Sequence, residues 1–308
     1  MSQYIVKVSE LSDSEVKQRL SGDGLRIIVG GMFFCLKTPL TSIAKNVSIL
    51  YKDYVLLEDQ RFVDFHVSIS SPNILSRLIL KQAQFYSDGF APFNPLPIQH
   101  APALIEWGMN WCVSSQINTH LIIHAAVIEK SGFAAIMPAP PGSGKSTLTA
   151  SLIQEGWRLL SDELTLIRID NGLLSPFPRP VSLKNQSIDV IKQRYPNVVF
   201  GVLSTDTMKG TVAHIRPPQL SVELQGVECP VGWIVFPKYE EGANTDLSAK
   251  PKAQSLMDVA DNSFNYSRLG AVGFETLKKV IDGADCYQFR YSRLDEAVAT
   301  FAALEPPR

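Results

Sequence analysis

Residues 121–169 read LIIHAAVIEKSGFAAIMPAPPGSGKSTLTASLIQEGWRLLSDELTLIRI, and this stretch decides the fold. Leu121 to Glu129 is an apolar, β-branched run that suits a buried strand and is too short to span a bilayer. Lys130-Ser131-Gly132 reads as a turn, and Phe133 to Met137 as a second strand. A Pro- and Gly-rich loop follows, Pro138 to Gly144, and then a helical stretch from Lys145 to Glu155 that Gly156 ends. Trp157 to Leu160 opens another strand, which is expected to continue through Ser161-Asp162-Glu163 to Ile169, where Asn171-Gly172 turns the chain. Strand, loop, helix and strand in this order define an α/β domain.

Within the loop, MPAPPGSGKST (residues 137–147) fills most of the phosphate-loop pattern G-x-x-x-x-G-K-[ST]. Gly144, Lys145 and Ser146 occupy its second half, while Ala139 stands at its first glycine. The physical requirement is a nest of backbone N–H groups around an anion, and Gly142 and Gly144 supply the conformational freedom for it. Pro141, Gly142, Ser143, Gly144, Lys145, Ser146 and Thr147 are thus the expected nucleotide-binding residues. The helix N-terminus adds its dipole, Lys145 reaches the β- and γ-phosphates, and the Ser146 hydroxyl ligates Mg²⁺.

Asp162-Glu163 supplies the carboxylates that phosphoryl transfer requires, one for the metal and one as base. Neighbouring strand residues face opposite sides, so the two acids serve one centre only if the strand ends or bulges there. His124 lies inside the apolar strand, where a lone histidine by itself reads as a core residue. Positive charge for the transferred group is expected from Arg179 and Lys184 in FPRPVSLKN and from Arg216 in AHIRPP, with His214 as a weaker candidate. Prolines stiffen both loops.

Outward from this core, residues 1–115 read as mixed α and β. Two β-prone runs, Leu25–Val29 and Met32–Leu36, flank Gly30-Gly31 as a hairpin. Val47 to Leu57 holds a helix end and a strand, and Phe62 to Ser70 alternates as a half-exposed strand. Three prolines between Phe90 and Pro97 make a rigid connector into a helix over Ala101–Gln116. Tyr54, Trp107 and Trp111 are expected in the core, and Asn262–Tyr266 as a helix end packed on the sheet. The expected domains are therefore 1–115, an α+β unit for substrate or partner recognition, and 116–308.

Hydrophobic residues make up 45% of the 308-residue chain and charged residues 19%, which excludes wholesale disorder. With 29 Lys and Arg against 30 Asp and Glu, no overall field invites nucleic acid. Cys35, Cys112, Cys229 and Cys286 form no C-x-x-C pair and are too scattered for a disulfide scaffold. Residues 1–10, MSQYIVKVSE, carry no signal-peptide pattern, and no apolar run reaches about 18 residues. The expectation is a cytoplasmic protein with no membrane insertion.

The segments LIIHAAVIEKSG, PAPPGSGKSTL and GWRLLSDELTLI resemble the catalytic core of HPr kinase/phosphorylase over about residues 118 to 240. Over nearly its full length the chain resembles the HprK-related kinase A group, through EWGMNWC (106–112), PFPRPVSLKN (176–185), GTVAHIRPP (210–218), GWIVFPKY (232–239) and NSFNY (262–266). The resemblance implies a P-loop kinase domain of HPr kinase / PEP carboxykinase type with a mixed central sheet. It implies ATP and Mg²⁺ as cofactors, Asp162 as base towards an acceptor serine and His124 as its support. Metal binding then falls to Ser146 and Glu163, with Asp162 the other acid in reach. The implied acceptor is a protein or peptide, with a PqqD-like peptide-binding protein as partner and a homo-oligomeric assembly as in HPr kinases. A small-metabolite kinase and a nucleotide-dependent switch are the alternatives. The chain departs from HPr kinases at Pro140-Pro141, where those have a serine-containing loop, and at Glu163, where aspartate is usual.

Overall fold

A computed structural model of the chain describes residues 6–57 and 62–306, so residues 1–5 of the N-terminal stretch lie outside the described residues. The chain builds two compact units. The first takes the residues up to Val113 together with Pro180–Glu223, and the second takes Ser114–Arg179 together with the chain from Leu224 onward.

In the first unit, helix α1 (Asp13–Ser21) starts at Ser12. The Ser12 hydroxyl accepts from Glu15 N while the Glu15 carboxylate accepts from Ser12 N, a reciprocal cap that satisfies two helix-end donors. Strands β1 (Leu25–Val29) and β2 (Met32–Lys37) pair antiparallel with Val29 opposite Met32. Gly30 and Gly31 both take positive φ, 58° and 78°, the two-residue turn whose twist suits a hairpin. Next come α2 (Thr41–Leu50), β3 (Phe65–Ser70), α3 (Ile74–Leu78), β4 (Gln82–Ser87), β5 (Leu96–Pro97) and α4 (Ala101–Gln116). The five strands form one sheet in chain order, with β2 and β3 parallel and the other neighbours antiparallel. Tyr54 is fully buried, as expected, but Trp107 and Trp111 are only partly so. Lys209 lies over the Trp107 ring, and Trp111 packs on Phe90 and Phe93.

The second unit begins with β6 (His120–Lys130), β7 (Phe133–Pro138), α5 (Lys145–Gln154), β8 (Arg158–Ser161), β9 (Leu164–Arg168) and β10 (Leu174–Ser175). The chain then returns to the first unit for β11 (Val181–Lys184), α6 (Gln186–Arg194), β12 (Ser204–Thr207), β13 (Gly210–Ile215) and α7 (Gln219–Glu223). Here the expected domain 116–308 is corrected: residues 180–223 form their own three-stranded sheet, β11-β13-β12, and fold with the first unit. Specific contacts hold them there. Val202 N donates to Asn46 Oδ1 at 3.0 Å, His100 Nε2 meets Thr205 O at 2.9 Å, and Lys7 pairs with Glu223 at 3.0 Å.

The second unit is completed by β14 (Val231–Tyr239), β15 (Asp246–Ala249), α8 (Lys252–Asp261), α9 (Tyr266–Leu269), α10 (Ala271–Gly283), β16 (Asp285–Tyr291) and α11 (Leu294–Ala302). Its sheet runs β10-β9-β6-β7-β14-β16-β15, with β8 also on β6. It is mixed: β7, β14 and β16 are parallel, and the other pairs are antiparallel. The alternation of β6 sends Leu121, Ile123, Ala125 and Val127 into a core with Val259 of α8 and Leu277, Val280 and Ile281 of α10. On the other face Trp157, Trp233, Phe289 and Phe301 of α11 make edge-to-face contacts at 5.5–6.2 Å. All four cysteines are free and buried, and burial pushes the Cys229 thiol up to about 12. Among the described residues no helix is long and apolar enough to cross a membrane.

Candidate active site

The loop between β7 and α5 turns on two glycines with constrained backbone. Gly142 and Gly144 lie at φ 85° and 84°, in the left-handed region that costs a side chain energy. A Cβ on Gly142 would meet nothing within 4 Å, so that side of the loop is open. A Cβ on Gly144 would lie 2.5 Å from Tyr291 Oη and 2.9 Å from Tyr239 Cβ. These tyrosines sit opposite each other at the ends of the parallel strands β14 and β16 and buttress the loop from behind. Tyr239 N donates to Ser143 O at 2.9 Å, and Tyr291 Oη donates to Gly144 O at 3.1 Å. Burial holds the Tyr291 phenol well above its ordinary pKa, so it stays protonated and keeps donating.

Gly144 is the N-cap of α5 and has no side chain to cap it, and the start of this ten-residue helix is a place that suits an anion. Lys145 is the first helical residue and is buried; Ser146 and Thr147 follow, half-exposed. Ser143 is 8% exposed, and its Oγ has no hydrogen-bond partner among the described residues. A buried hydroxyl without a partner, an open cradle at Gly142 and an uncapped helix start fit a phosphate chain.

The acids lie where the expected continuous strand breaks. Ser161 of β8 pairs with Val127, and Leu164 of β9 pairs with His124, so Asp162-Glu163 bends away opposite Ala125-Ala126. Leu164 N donates to Ser161 Oγ at 3.1 Å and closes the bend. The break lifts the strict alternation that would have sent the two acids to opposite faces. Asp162 is buried and Glu163 half-buried. On the other edge of β6, Ala125 pairs with Pro138, the last residue before the glycine loop. The acids and the loop entrance therefore flank one strand, two strand spacings or about 10 Å apart.

His124 is half-buried rather than enclosed in the core, with its ring 5.7 Å from Phe264. Residues 262–265 hold it there. Past Ala125, β7 has left β6 for the loop, and the vacated ladder groups need partners. His124 N donates to Asn262 O at 2.7 Å, Ser263 bridges Ile123, and Asn265 takes Ile122 N at 2.9 Å and gives to His120 O at 2.8 Å. The NSFNY segment is the expected helix end packed on the sheet, with Asn262 closing α8 and Asn265 opening α9, and its bonds to β6 fix the histidine. Sequence reasoning missed this role; the Asn-x-x-Asn spacing after an amphipathic helix was the only trace of it.

Arg179 is buried against the Phe177 ring at 5.4 Å, and Phe177 N donates to Leu160 O at 2.7 Å, tying this segment to the end of β8 just before the acids. Arg216, Lys184 and His214 belong to the first unit, on and beside β11 and β13. Of the expected cations only Lys145 and Arg179 are thus part of the second unit. A cleft of about 470 Å³ opens beside the loop, lined by Pro138, Ser143, Phe236, Asp258, Asp261 and Asn262 among others. In it Lys250 pairs with Asp258 at 2.9 Å over the Phe236 ring. Neither Lys250 nor the α8 acids stood out in the sequence, because nothing local marks them. Among the described residues no three His, Cys, Asp or Glu side chains gather to hold a metal alone.

No protein-family model and no curated protein matches the sequence. Among solved structures, the HPr(Ser) kinase/phosphatase from Coxiella burnetii is similar at 12% identity and a TM-score of 0.26, over 59% of this chain and 91% of that one.

Proposed function

We propose that this chain is an ATP- and Mg²⁺-dependent phosphotransferase that delivers the γ-phosphate to a serine hydroxyl of a protein or peptide in the cytoplasm. The observation that carries the reading is the uncapped α5 N-terminus behind two left-handed glycines, one strand away from a bent acid pair. Bound nucleotide and Mg²⁺ would supply the phosphoryl donor and the charge neutralisation that transfer requires. Loop N–H groups from Gly142 to Lys145 bind the phosphate oxygens, and Lys145 balances their charge. Ser146 and Glu163 would hold the metal. Asp162 accepts the proton of the attacking hydroxyl, His124 orients Asp162, and Arg179 stabilises charge on the equatorial oxygens. The first unit, with Arg216, is the part that recognises the acceptor or a PqqD-like partner. Self-assembly belongs to the same reading.

A kinase of a small hydroxyl metabolite is the second reading. The cleft of about 470 Å³ favours it, because that volume suits a small molecule.

The test is γ-labelled ATP with Mg²⁺, wild type and Lys145→Ala, and lysate from a strain lacking the gene. Label on a protein or peptide band that requires Lys145 supports the first reading. Label confined to small molecules moves the assignment to the metabolite kinase, and phosphate release without an acceptor to a switch. Asp162→Asn is expected to keep ATP·Mg²⁺ binding and to lose transfer by about 10²-fold or more. Loss of binding instead would make Asp162 the metal ligand.

A further inference from the structure

We propose that the tip between β3 and β4 of the first unit, residues 74–81, is a shallow docking element for an anionic membrane surface. Helix α3 is built inside out. Its buried residue is the polar Ser76, while Ile74, Leu75 and Leu78, followed by Ile79 and Leu80, are 76%, 53%, 68%, 71% and 52% exposed. A run of large apolar side chains turned to solvent is costly unless something covers it.

Polar contacts hold the tip in shape and leave the apolar side chains free. Ser76 N donates to Asn73 Oδ1 at 2.7 Å, Ser76 Oγ donates to Gln82 Oε1 at 3.3 Å, and Ile98 N donates to Lys81 O at 2.7 Å. Lys81 itself sits at φ 47°, a left-handed conformation that a lysine adopts only when its surroundings impose it.

Charge selects the occupant. From Phe65 to Ser87 there is no acidic residue, although acids and bases balance over the whole chain. The tip carries Arg77 and Lys81, both exposed. A second copy would set these cations against their own counterparts, and five apolar residues are far fewer than the roughly 20–30 a side of a stable protein interface. A lipid surface needs no matching shape. It accepts protruding apolar side chains at the level of the headgroups, while anionic headgroups pair with the cations. This contact differs from a membrane span, and it departs from the sequence-based expectation of no membrane insertion. It is independent of the proposed phosphotransfer.

The experiment is co-sedimentation of the full chain with vesicles of phosphatidylcholine alone or mixed with phosphatidylglycerol. Wild type is expected to bind the mixed vesicles and to be released by salt. Ile74→Ser with Leu78→Ser and Ile79→Ser should weaken binding by about 100-fold or more. Arg77→Gln with Lys81→Asn, where asparagine tolerates the left-handed turn, should weaken it by about 25-fold, or about fivefold per cation. Both variants should unfold at the wild-type denaturant midpoint, because the altered side chains are exposed. Absence of wild-type binding, equal binding to both vesicle types, or binding unchanged in the triple variant would each overturn the proposal. So would a concentration-dependent dimer that the triple variant abolishes while vesicles capture nothing.

Discussion

Gly144→Ala against Gly142→Ala separates the two sides of the glycine loop. Both residues lie at the same left-handed φ, 84° and 85°, so both substitutions incur the same backbone strain, about 1–2 kcal/mol. Their surroundings differ. The new methyl at position 142 enters open space, whereas at 144 it lands 2.5 Å from Tyr291 Oη and 2.9 Å from Tyr239 Cβ. Tyr291 and Tyr239 belong to the sheet and cannot withdraw without moving β14 and β16, so overpacking adds about 1–3 kcal/mol. Gly144→Ala should therefore cost roughly 2–5 kcal/mol and Gly142→Ala about 1–2. Urea unfolding followed by tryptophan fluorescence reads the difference, since Trp157 and Trp233 lie in the same unit. Tyr291→Phe removes the nearest clashing atom, so the Gly144→Ala/Tyr291→Phe double variant should be less destabilised than the sum of the singles. Tyr291→Phe alone loses the bond to Gly144 O and should cost about 1 kcal/mol. Equal stabilities for the two alanine variants, or strict additivity in the double, would refute the buttress argument.

Other expectations concern the frame of the second unit. Arg158 Nε pairs with Glu129 at 2.6 Å, and its Nη1 donates to the carbonyls of Leu224 and Val227. Arg158→Ala leaves the half-buried Glu129 carboxylate with its bond from Gly132 N but without its cation and should lower the unfolding free energy by about 2–3 kcal/mol in urea titrations. Asn265→Ala removes both ties to β6 and should cost roughly 2–5 kcal/mol; it should also depress transfer more than nucleotide binding, which parallel binding and turnover assays resolve. Burial, with Arg168 acting in the same sense, holds the His120 imidazole below its ordinary value of 6.5. The unfolded chain then takes up its proton near pH 6.5 before the folded unit does. Stability should fall as the pH drops through that value and level off below the folded pKa. Urea midpoints of wild type and His120→Gln at about pH 7.5 and about pH 5 check this, because the variant lacks that component of the slope.

The order of elements from β6 to β9 was legible because each carries a local signal: apolar runs for buried strands, Gly-Gly and Asn-Gly for turns, glycines before a helix for the loop. The hairpin at Gly30-Gly31 and the alternation of β3 were legible for the same reason. The bend at Asp162-Glu163 was not, since strand propensity runs straight through it; pairing with β6 in two registers, over the small Ala125 and Ala126, sets it. The bonds that residues 262–265 make to β6 were equally hidden, although the helix end itself was expected, because their cause is the ladder vacated by β7 more than a hundred residues earlier.

Sequence alone thus singled out the residues that the proposed chemistry would use: the glycines, Lys145, Ser146 and the acid pair by their type and spacing along the chain, and His124 by the resemblance of its segment to HPr kinases. Tertiary structure decided which of them share a unit and what holds them. Residues 180–223, with the Arg216 loop, join the first unit through Asn46, His100 and Lys7, while Asp162 and the glycine loop belong to the second. The tyrosines behind Gly144, Tyr239 and Tyr291, come from strands far later in the chain. Local propensity acts within a turn or two of the chain, whereas these contacts are selected by the burial and hydrogen-bond satisfaction of the whole sheet.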